Sequence, residues 1–426
     1  MLDVTTRPFR WVPARRFVPA LLRQSVEFRR FFAGQFVSLV GDQVSLIALP
    51  LVGILILHAG PAQMGYLTTA ALLPNLLFSL HAGAWVDRRG RRRQVMIVAD
   101  VGRAVLLLSI PVAYGLDLLT IEQLYVVGFL EGTLSVFFYV AYSTLFVALV
   151  PRERYVEGHQ LLNGSRALSF VGGPGLGGAL VQAFTAPVAL LVDGLSFLVS
   201  AFSLTRISPE EPPTEPAERG HLRAGASYIR HSPVIRASLL GTATINFFNF
   251  VFQALVILYA NKYLHIQPGA LGAVIAVAAI GAVIGSVVTG RIGKRIGIGP
   301  AFVLGCLLFP APLVLIPLAS GPHWVVVGCV TVAEFCSGFG VMLLDITGGA
   351  IKAAVVPDRL RARVSGAYML VNYGVRPVGA LAGGLLGAEI GVRNTLWIAT
   401  VGAIAGVLWL LPSPIMKMRE LPETTE

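Results

Sequence analysis

Twelve apolar stretches, each about long enough to cross a bilayer as a helix, run through the 426 residues of this chain. They fall near 31–57, 63–86, 94–115, 120–149, 159–183, 186–206, 235–260, 269–292, 299–319, 323–350, 363–388 and 391–411. A hydrocarbon core of ~30 Å takes about 20 helical residues to span. Inside it every backbone polar group must be satisfied within the segment, which leaves helices as the form such stretches can take. With 55% hydrophobic and only 13% charged residues, a soluble fold of this size is excluded. The expected fold class is therefore an all-α membrane protein of twelve transmembrane helices.

The net charge of +11 is a matter of topology rather than of nucleic-acid binding. With both termini on the inner side, only Lys262 and Arg393 lie in outer loops. Arg103, Arg166 and Arg376 lie within spans, and the remaining Lys and Arg sit in inner segments or at inner helix ends. This positive-inside bias sets the orientation: multi-pass, both termini cytoplasmic. Membrane lipids are the expected contacts of the basic surface, and no nucleic-acid partner is expected. Arg far outnumbers Lys, in keeping with a GC-rich bacterial genome and thus with a bacterial cytoplasmic (inner) membrane. The N-terminus lacks the pattern of a cleavable signal, and residues 14–30 have the make-up of a basic amphipathic helix on the inner leaflet. Cys306, Cys329 and Cys336 lie in apolar spans without metal-ligand spacing, so neither metal nor cofactor is expected.

The chain is duplicated. Gly83-Ala-Trp-Val-Asp87-Arg88-Arg-Gly90 after the second stretch is matched by Gly290-Arg-Ile-Gly-Lys294-Arg295-Ile-Gly297 after the eighth, 207 residues on. Val150-Pro151 and Val356-Pro357 are 206 apart. A Pro- and acid-rich linker separates the two copies. The expected organisation is a basic cytoplasmic segment (1–30), a six-helix bundle (31–206), a cytoplasmic linker (207–234) whose second part forms a short surface helix, a second six-helix bundle (235–415) and a cytoplasmic tail (416–426). The two bundles are pseudo-symmetric, and the chain is expected to act as a monomer.

Every third stretch carries a polar stripe at helical spacing. The stripes are Gln35-Ser38-Asp42-Ser45, Glu131-Ser135-Phe138-Tyr142, Asn246-Asn249-Gln253 and Glu334-Ser337-Val341-Asp345. A carboxyl at mid-bilayer costs roughly 2.5–3.5 kcal/mol on insertion scales, so it faces water or a polar partner. Four such stripes imply repeats folded around one polar cavity, the plan of a secondary transporter. Asp42, Glu131 and Glu334 are the candidate proton-coupling acids, with Arg103, one turn from Asp100, as counter-charge. Asp193, beside Ser196 and Ser200, reads as structural. Gln35, Ser38, Phe138, Tyr142, Asn246, Asn249, Gln253 and Asp345 are the candidate cavity lining. Aromatic rings with a few amides suit a bulky amphiphile better than a sugar. The expected partners are a small amphiphilic substrate and protons.

The run Gly83-x-x-x-Asp87-Arg88-x-Gly90-Arg91-Arg92 resembles the signature between helices 2 and 3 of the major facilitator superfamily. Gly173-Pro174-Gly-Leu-Gly177-Gly178 resembles the core of its antiporter motif. Gly41-Asp42-Gln43, Ala99-Asp100-x-x-Arg103, Glu131-Gly132 and Asp193-x-x-Ser196-Phe197 extend the likeness to the branch of macrolide-efflux proteins, the enterobactin exporter and related drug:proton antiporters. The resemblance implies the major facilitator fold and export of a drug, antibiotic or siderophore-like compound by proton antiport and alternating access. It also implies a conformational latch of Gly83, Asp87, Arg88, Gly90 and Arg91, in which Asp87 meets the N-terminus of the eleventh helix near Arg361–Ser365. A lipid or lysophospholipid transporter of the same fold is the nearest alternative, and a non-transporting receptor or scaffold the alternative of another class. No His-Glu metal motif or nucleophile elbow is present, which argues against an enzyme.

Overall fold

The computed structural model describes residues 19–209 and 222–421. Twelve helical segments are labelled here in chain order. They are α1 (Val26–Leu51, continued by a π turn Val52–Ile56), α2 (Pro61–Arg89), α3 (Arg92–Gly115), α4 (Ile121–Leu149), α5 (Tyr155–Ala183) and α6 (Ala186–Thr205). After a surface helix, Leu222–His231, come α7 (Pro233–Lys262), α8 (Pro268–Ile296), α9 (Ile298–Leu308), α10 (His323–Val355), α11 (Asp358–Glu389) and α12 (Val392–Ala405).

Helix starts follow local chemistry. Thr120, Thr185 and Ser232 accept from the amides of Gln123, Val188 and Ile235, satisfying donors that a first turn leaves free. Pro61, Pro233 and Pro268 open their helices, where a missing N–H costs nothing. α2 ends on Gly90 at φ 61°, a left-handed cap that accounts for the glycine of the 83–92 run. The ninth stretch is broken: α9 stops at Leu308 and a 3-10 turn over Ala311–Val314, flanked by Pro310 and holding Pro312, precedes a last short turn. Near the start of the described chain, Ser25 caps α1 and separates it from a five-residue helix, Ala20–Gln24. Residues 20–30 are thus two pieces, and the expected surface helix over 14–30 lies partly outside the described residues.

Nine of the described helical segments are long and apolar enough to cross a membrane. The long helices outside that set are α2, α5 and α11. Each meets another helix at a glycine: Gly65 of α2, Gly178 of α5 and Gly384 of α11. α1 packs on α5 and α6, α3 on α4 and α6, and α2 on α4. In the second part, α7 packs on α11 and α12, and α10 on α8 and α9. The two largest contacts that join these sets are α2 with α11 and α5 with α8, with smaller ones from α7 to α1 and α2.

Both of the largest joining contacts are glycine crossings, and the duplication relates them. A Cβ on Gly65 (α2) would stand 2.5 Å from the Gly384 Cα (α11), and one on Gly178 (α5) would stand 3.0 Å from the Gly272 Cα (α8). Pro61 and Gly65 recur as Pro268 and Gly272, 207 residues on, and Gly178 recurs as Gly384 after 206. Only glycine allows backbones this close. Around the crossings Thr69 Oγ1 donates to the Pro377 carbonyl (3.3 Å), the Gly269 amide to Gln182 Oε1 (2.9 Å) and Lys262 Nζ to the Ala59 carbonyl (3.0 Å). Eighteen residues, five full turns, separate Gly65 from Gly83 and Gly272 from Gly290, so each pair shares one helix face. A Cβ on Gly83 or Gly290 would meet nothing within 4 Å among the described residues. The two sets touch at the end poor in Lys and Arg, while nearer the basic end Gly83 and Gly290 face open space among the described residues.

Candidate functional site

Arg103 organises the first polar cluster. It is 1% exposed, inside the α1, α3, α4 and α6 group. One Nη lies 2.5 Å from Asp100 Oδ1, and the other lies 3.8 Å from Asp42 Oδ1 and donates to Ser135 Oγ at 3.3 Å. Ser135 in turn donates to Glu131 Oε1 at 2.8 Å. The rings of Phe138 and Phe197 flank the guanidinium at 4.5 and 4.0 Å. Beside it, Asp193 accepts from Ser45 and, at 3.0 Å, from Ser196. A side chain at Gly41 would strike Ser196 and Asp193, so this glycine lets α1 come close enough for Ser45 to reach across. Gln35 Nε2 donates to Ser200 Oγ at 3.0 Å.

The structure places Asp42, Arg103 and Glu131 in one cluster, together with Asp100 and Asp193. Asp42 keeps 24% of its side chain accessible, in a small recess lined by Gln35, Ser38, Phe138, Tyr139, Tyr142 and Arg166. Tyr139, beside the predicted Phe138 and Tyr142, is 45% exposed. The cluster is therefore buried on the α3 and α6 side and reachable through Asp42.

The second half is arranged differently. Asn246 donates to Asn372 Oδ1 on α11 and to the Thr242 carbonyl, each at 3.0 Å, so it serves helix packing. Asn249 Oδ1 is buried without a hydrogen-bond partner, and Gln253 is exposed. The three amides are thus divided among three surroundings. Glu334 has no ion pair among the described residues. Asp345 is exposed on α10, two turns before Lys352, whose Nζ rests 4.2 Å from the Tyr368 ring centre. Tyr368 bonds Thr242 (2.7 Å) and Ser238 (3.1 Å), tying α11 to α7. The Arg376 guanidinium lies over Tyr373 (4.3 Å) and Phe250 (5.2 Å).

The antiporter-like motif divides between two neighbours. Gly173 and Gly177 face Gln43 and Val44 of α1, while Gly178 faces Gly272. Pro174 lies within α5, its carbonyl against Gly272. In the latch run, Arg88 and Arg91 are exposed and Gly83 faces open space. The side chain of Asp87 lies outside the described residues. Arg361, at the proposed partner site, pairs locally with Asp358 at 2.6 Å.

Helices long and apolar enough for a bilayer, a charged cluster within them and a mouth open at one end define a membrane transporter. The family model of the Major Facilitator Superfamily matches residues 31–375, and the chain belongs to that superfamily. It is 25% identical over 386 residues to an uncharacterized transporter of this type, YfiS of Bacillus subtilis, covering 87% of this chain and 89% of that one. It is 24% identical to the multidrug efflux pump Tap of Mycolicibacterium fortuitum (83% and 88% covered) and 21% identical to the staphyloferrin A transporter of Staphylococcus aureus (88% and 93%). Among solved structures, a bacterial homologue of the iron transporter ferroportin in an inward-facing state superposes with a TM-score of 0.74 at 15% identity, covering 92% of this chain and 99% of that one. The family and its structural neighbours are transporters, not enzymes.

Proposed function

We propose that the protein is a secondary active exporter of a bulky hydrophobic or amphiphilic compound, working by proton antiport and alternating access. In this reading twelve spans form two six-helix bundles. Both termini face the cytoplasm of a bacterial cell, across its inner membrane, and the basic mouth opens inward. The observation that carries it is the Arg103 cluster. Asp42, Asp100, Glu131 and Asp193 surround one guanidinium, and Asp42 reaches the central recess. Carboxyls in excess of cations in a low-dielectric site form a group that can take up and release protons. Substrate in the recess would compete with protons there. Asp87 acts as the latch, meeting the N-terminus of α11 when the basic end closes.

A lipid or lysophospholipid transporter is supported by one feature. An apolar crevice of about 430 Å³ runs between α1 and α6 past Phe36, Val40, Leu195 and Ser196. Such a crevice suits an acyl chain entering sideways from the bilayer.

Glu131→Gln tests the main reading, because the amide keeps the hydrogen bond to Ser135 and cannot carry the proton. In everted vesicles, export driven by a pH gradient alone should fall to background while insertion and melting temperature stay unchanged. Undiminished pH-driven export by this variant would falsify proton coupling through Glu131. Lysophospholipid transport without drug transport would favour the second reading.

A further inference from the structure

Arg376 is a cation in mid-membrane to which no acid is bonded, although the charge of Asp345 on α10 reaches it. It lies near the middle of α11, has no carboxylate within 4 Å among the described residues, and its Nε is buried without a hydrogen-bond partner. Arg103, at a comparable depth, is bonded to Asp100 and faces Asp42. Lys352 and Arg166 are likewise without an ion pair among the described residues, and each lies against an aromatic ring. In the second half Arg376 and Lys352 are thus unbonded and share the field of one carboxylate, Asp345, whereas in the first half Arg103 has acids bonded or close to it.

Helix geometry aims Arg376 inward. Val371, Val378 and Leu385 are exposed at seven-residue spacing and mark the lipid face of α11. Arg376 lies about 140–200° around the helix from each of them. The 206-residue offset that matches Gly173, Gly177 and Gly178 to Gly379, Gly383 and Gly384 makes Phe170 the counterpart of Arg376. Phe170 is 53% exposed. The pseudo-symmetry of the two copies thus sets a phenyl ring in one wall and a guanidinium in the other. Because its counterpart is Phe and not Arg, the charge belongs to this site and not to the repeat.

We propose that Arg376, backed by the rings of Phe250 and Tyr373, is a receptor for a carboxylate, and that the transported compound is an amphiphilic carboxylic acid whose apolar body lies toward the first half. This rests on the exporter reading above. A cation at this depth with no carboxylate bonded to it is costly unless water or an anion meets it. The planar guanidinium matches a carboxylate in two parallel hydrogen bonds, and its stacking on Tyr373 fixes the plane in which they form.

The test uses two probes on one fluorophore, dansylglycine, a carboxylate, and dansylcadaverine, an ammonium. Each is titrated into the full-length protein in phosphatidylcholine nanodiscs, with the signal of empty discs subtracted. Wild type should bind dansylglycine about tenfold or more tighter than dansylcadaverine, as one charge-assisted pair would give. Arg376→Gln should abolish that preference, Arg376→Lys should retain part of it, and neither should alter dansylcadaverine binding. Equal binding of the two probes to wild type, tighter binding of the ammonium, no binding of either, or a preference that survives Arg376→Gln each overturns the proposal. The wild-type titrations decide the matter if Arg376→Gln fails to fold. Export in a pH gradient is measured separately. A protein that exports an ammonium drug and lacks the anion preference loses this subsite and keeps the exporter reading.

Discussion

The two sequence repeats share their joints and differ in their charge. At the joints the correspondence is residue for residue: Pro61 and Gly65 against Pro268 and Gly272, and Gly178 against Gly384. In the interior it vanishes. The first copy gathers four carboxyls in the Arg103 cluster, whereas in the second Arg376, Lys352, Asp345 and Glu334 form no ion pair among the described residues. Duplication preserved the parts that must fit another backbone. The parts that meet protons and substrate diverged, because no packing constraint held them equal.

The sharpest test of that difference contrasts the two arginines. Removing one member of a buried, bonded charge cluster costs about 3–5 kcal/mol. Arg103→Gln should therefore lower the melting temperature steeply and abolish export. Arg376→Gln, which breaks no ion pair and leaves Lys352 near Asp345, should change stability by less than about 1 kcal/mol. Thermal unfolding of both variants in one detergent decides it, and equal losses would mean that Arg376 is as structural as Arg103.

The shared joints give the next effect. Gly65→Val and Gly272→Val each force a side chain into a backbone crossing, an overpacking that typically costs 1–3 kcal/mol, roughly a five- to hundredfold change in population. Spin-label distances between the 116–120 and 319–322 loops should lengthen, and by similar amounts in the two variants because the sites are equivalent. Unchanged distances with a lower melting temperature would make the crossings static contacts.

Smallest is the contrast within the amide stripe. Asn246→Ala removes the bond to Asn372 and should cost about 1 kcal/mol of stability with affinity intact. Asn249→Ala should leave stability nearly unchanged and weaken substrate binding several-fold. If the two behave alike, the stripe is one surface and not three.

Much of this was legible in the sequence, for identifiable reasons. Helix extents follow from apolar length and from Thr, Ser and Pro at the boundaries: the stretch read as 186–206 is Ala186–Thr205. Asp42, Arg103 and Glu131 stood out as charges inside apolar runs at helical spacing. What escaped depends on which helices become neighbours. Ser45 meets Asp193 only because Gly41 brings α1 onto α6, and one-dimensional spacing does not encode that approach. Asn246 faces Asn372 through the pairing of α7 with α11. Lys352, close to an inner helix end, reads as topology until its ammonium is seen over Tyr368. The break after α9 did have a signal, Pro310 and Pro312 in one turn, which an average of hydropathy over the stretch conceals.

The glycine crossings sit near one end of long helices, and this sets a mechanical ratio. From Gly65 to Gly83, α2 extends about 27 Å at 1.5 Å per residue. Tilting that arm by about 10° about the crossing moves its far end by about 5 Å. Few polar side chains bridge the crossings, Thr69, Gln182 and Lys262 among them, and between these backbone meets backbone. A slight adjustment at the pivot is thus magnified at the basic mouth. Gating there demands little work at the pivot itself, and the free energy of substrate and proton binding can be spent on choosing which end is open.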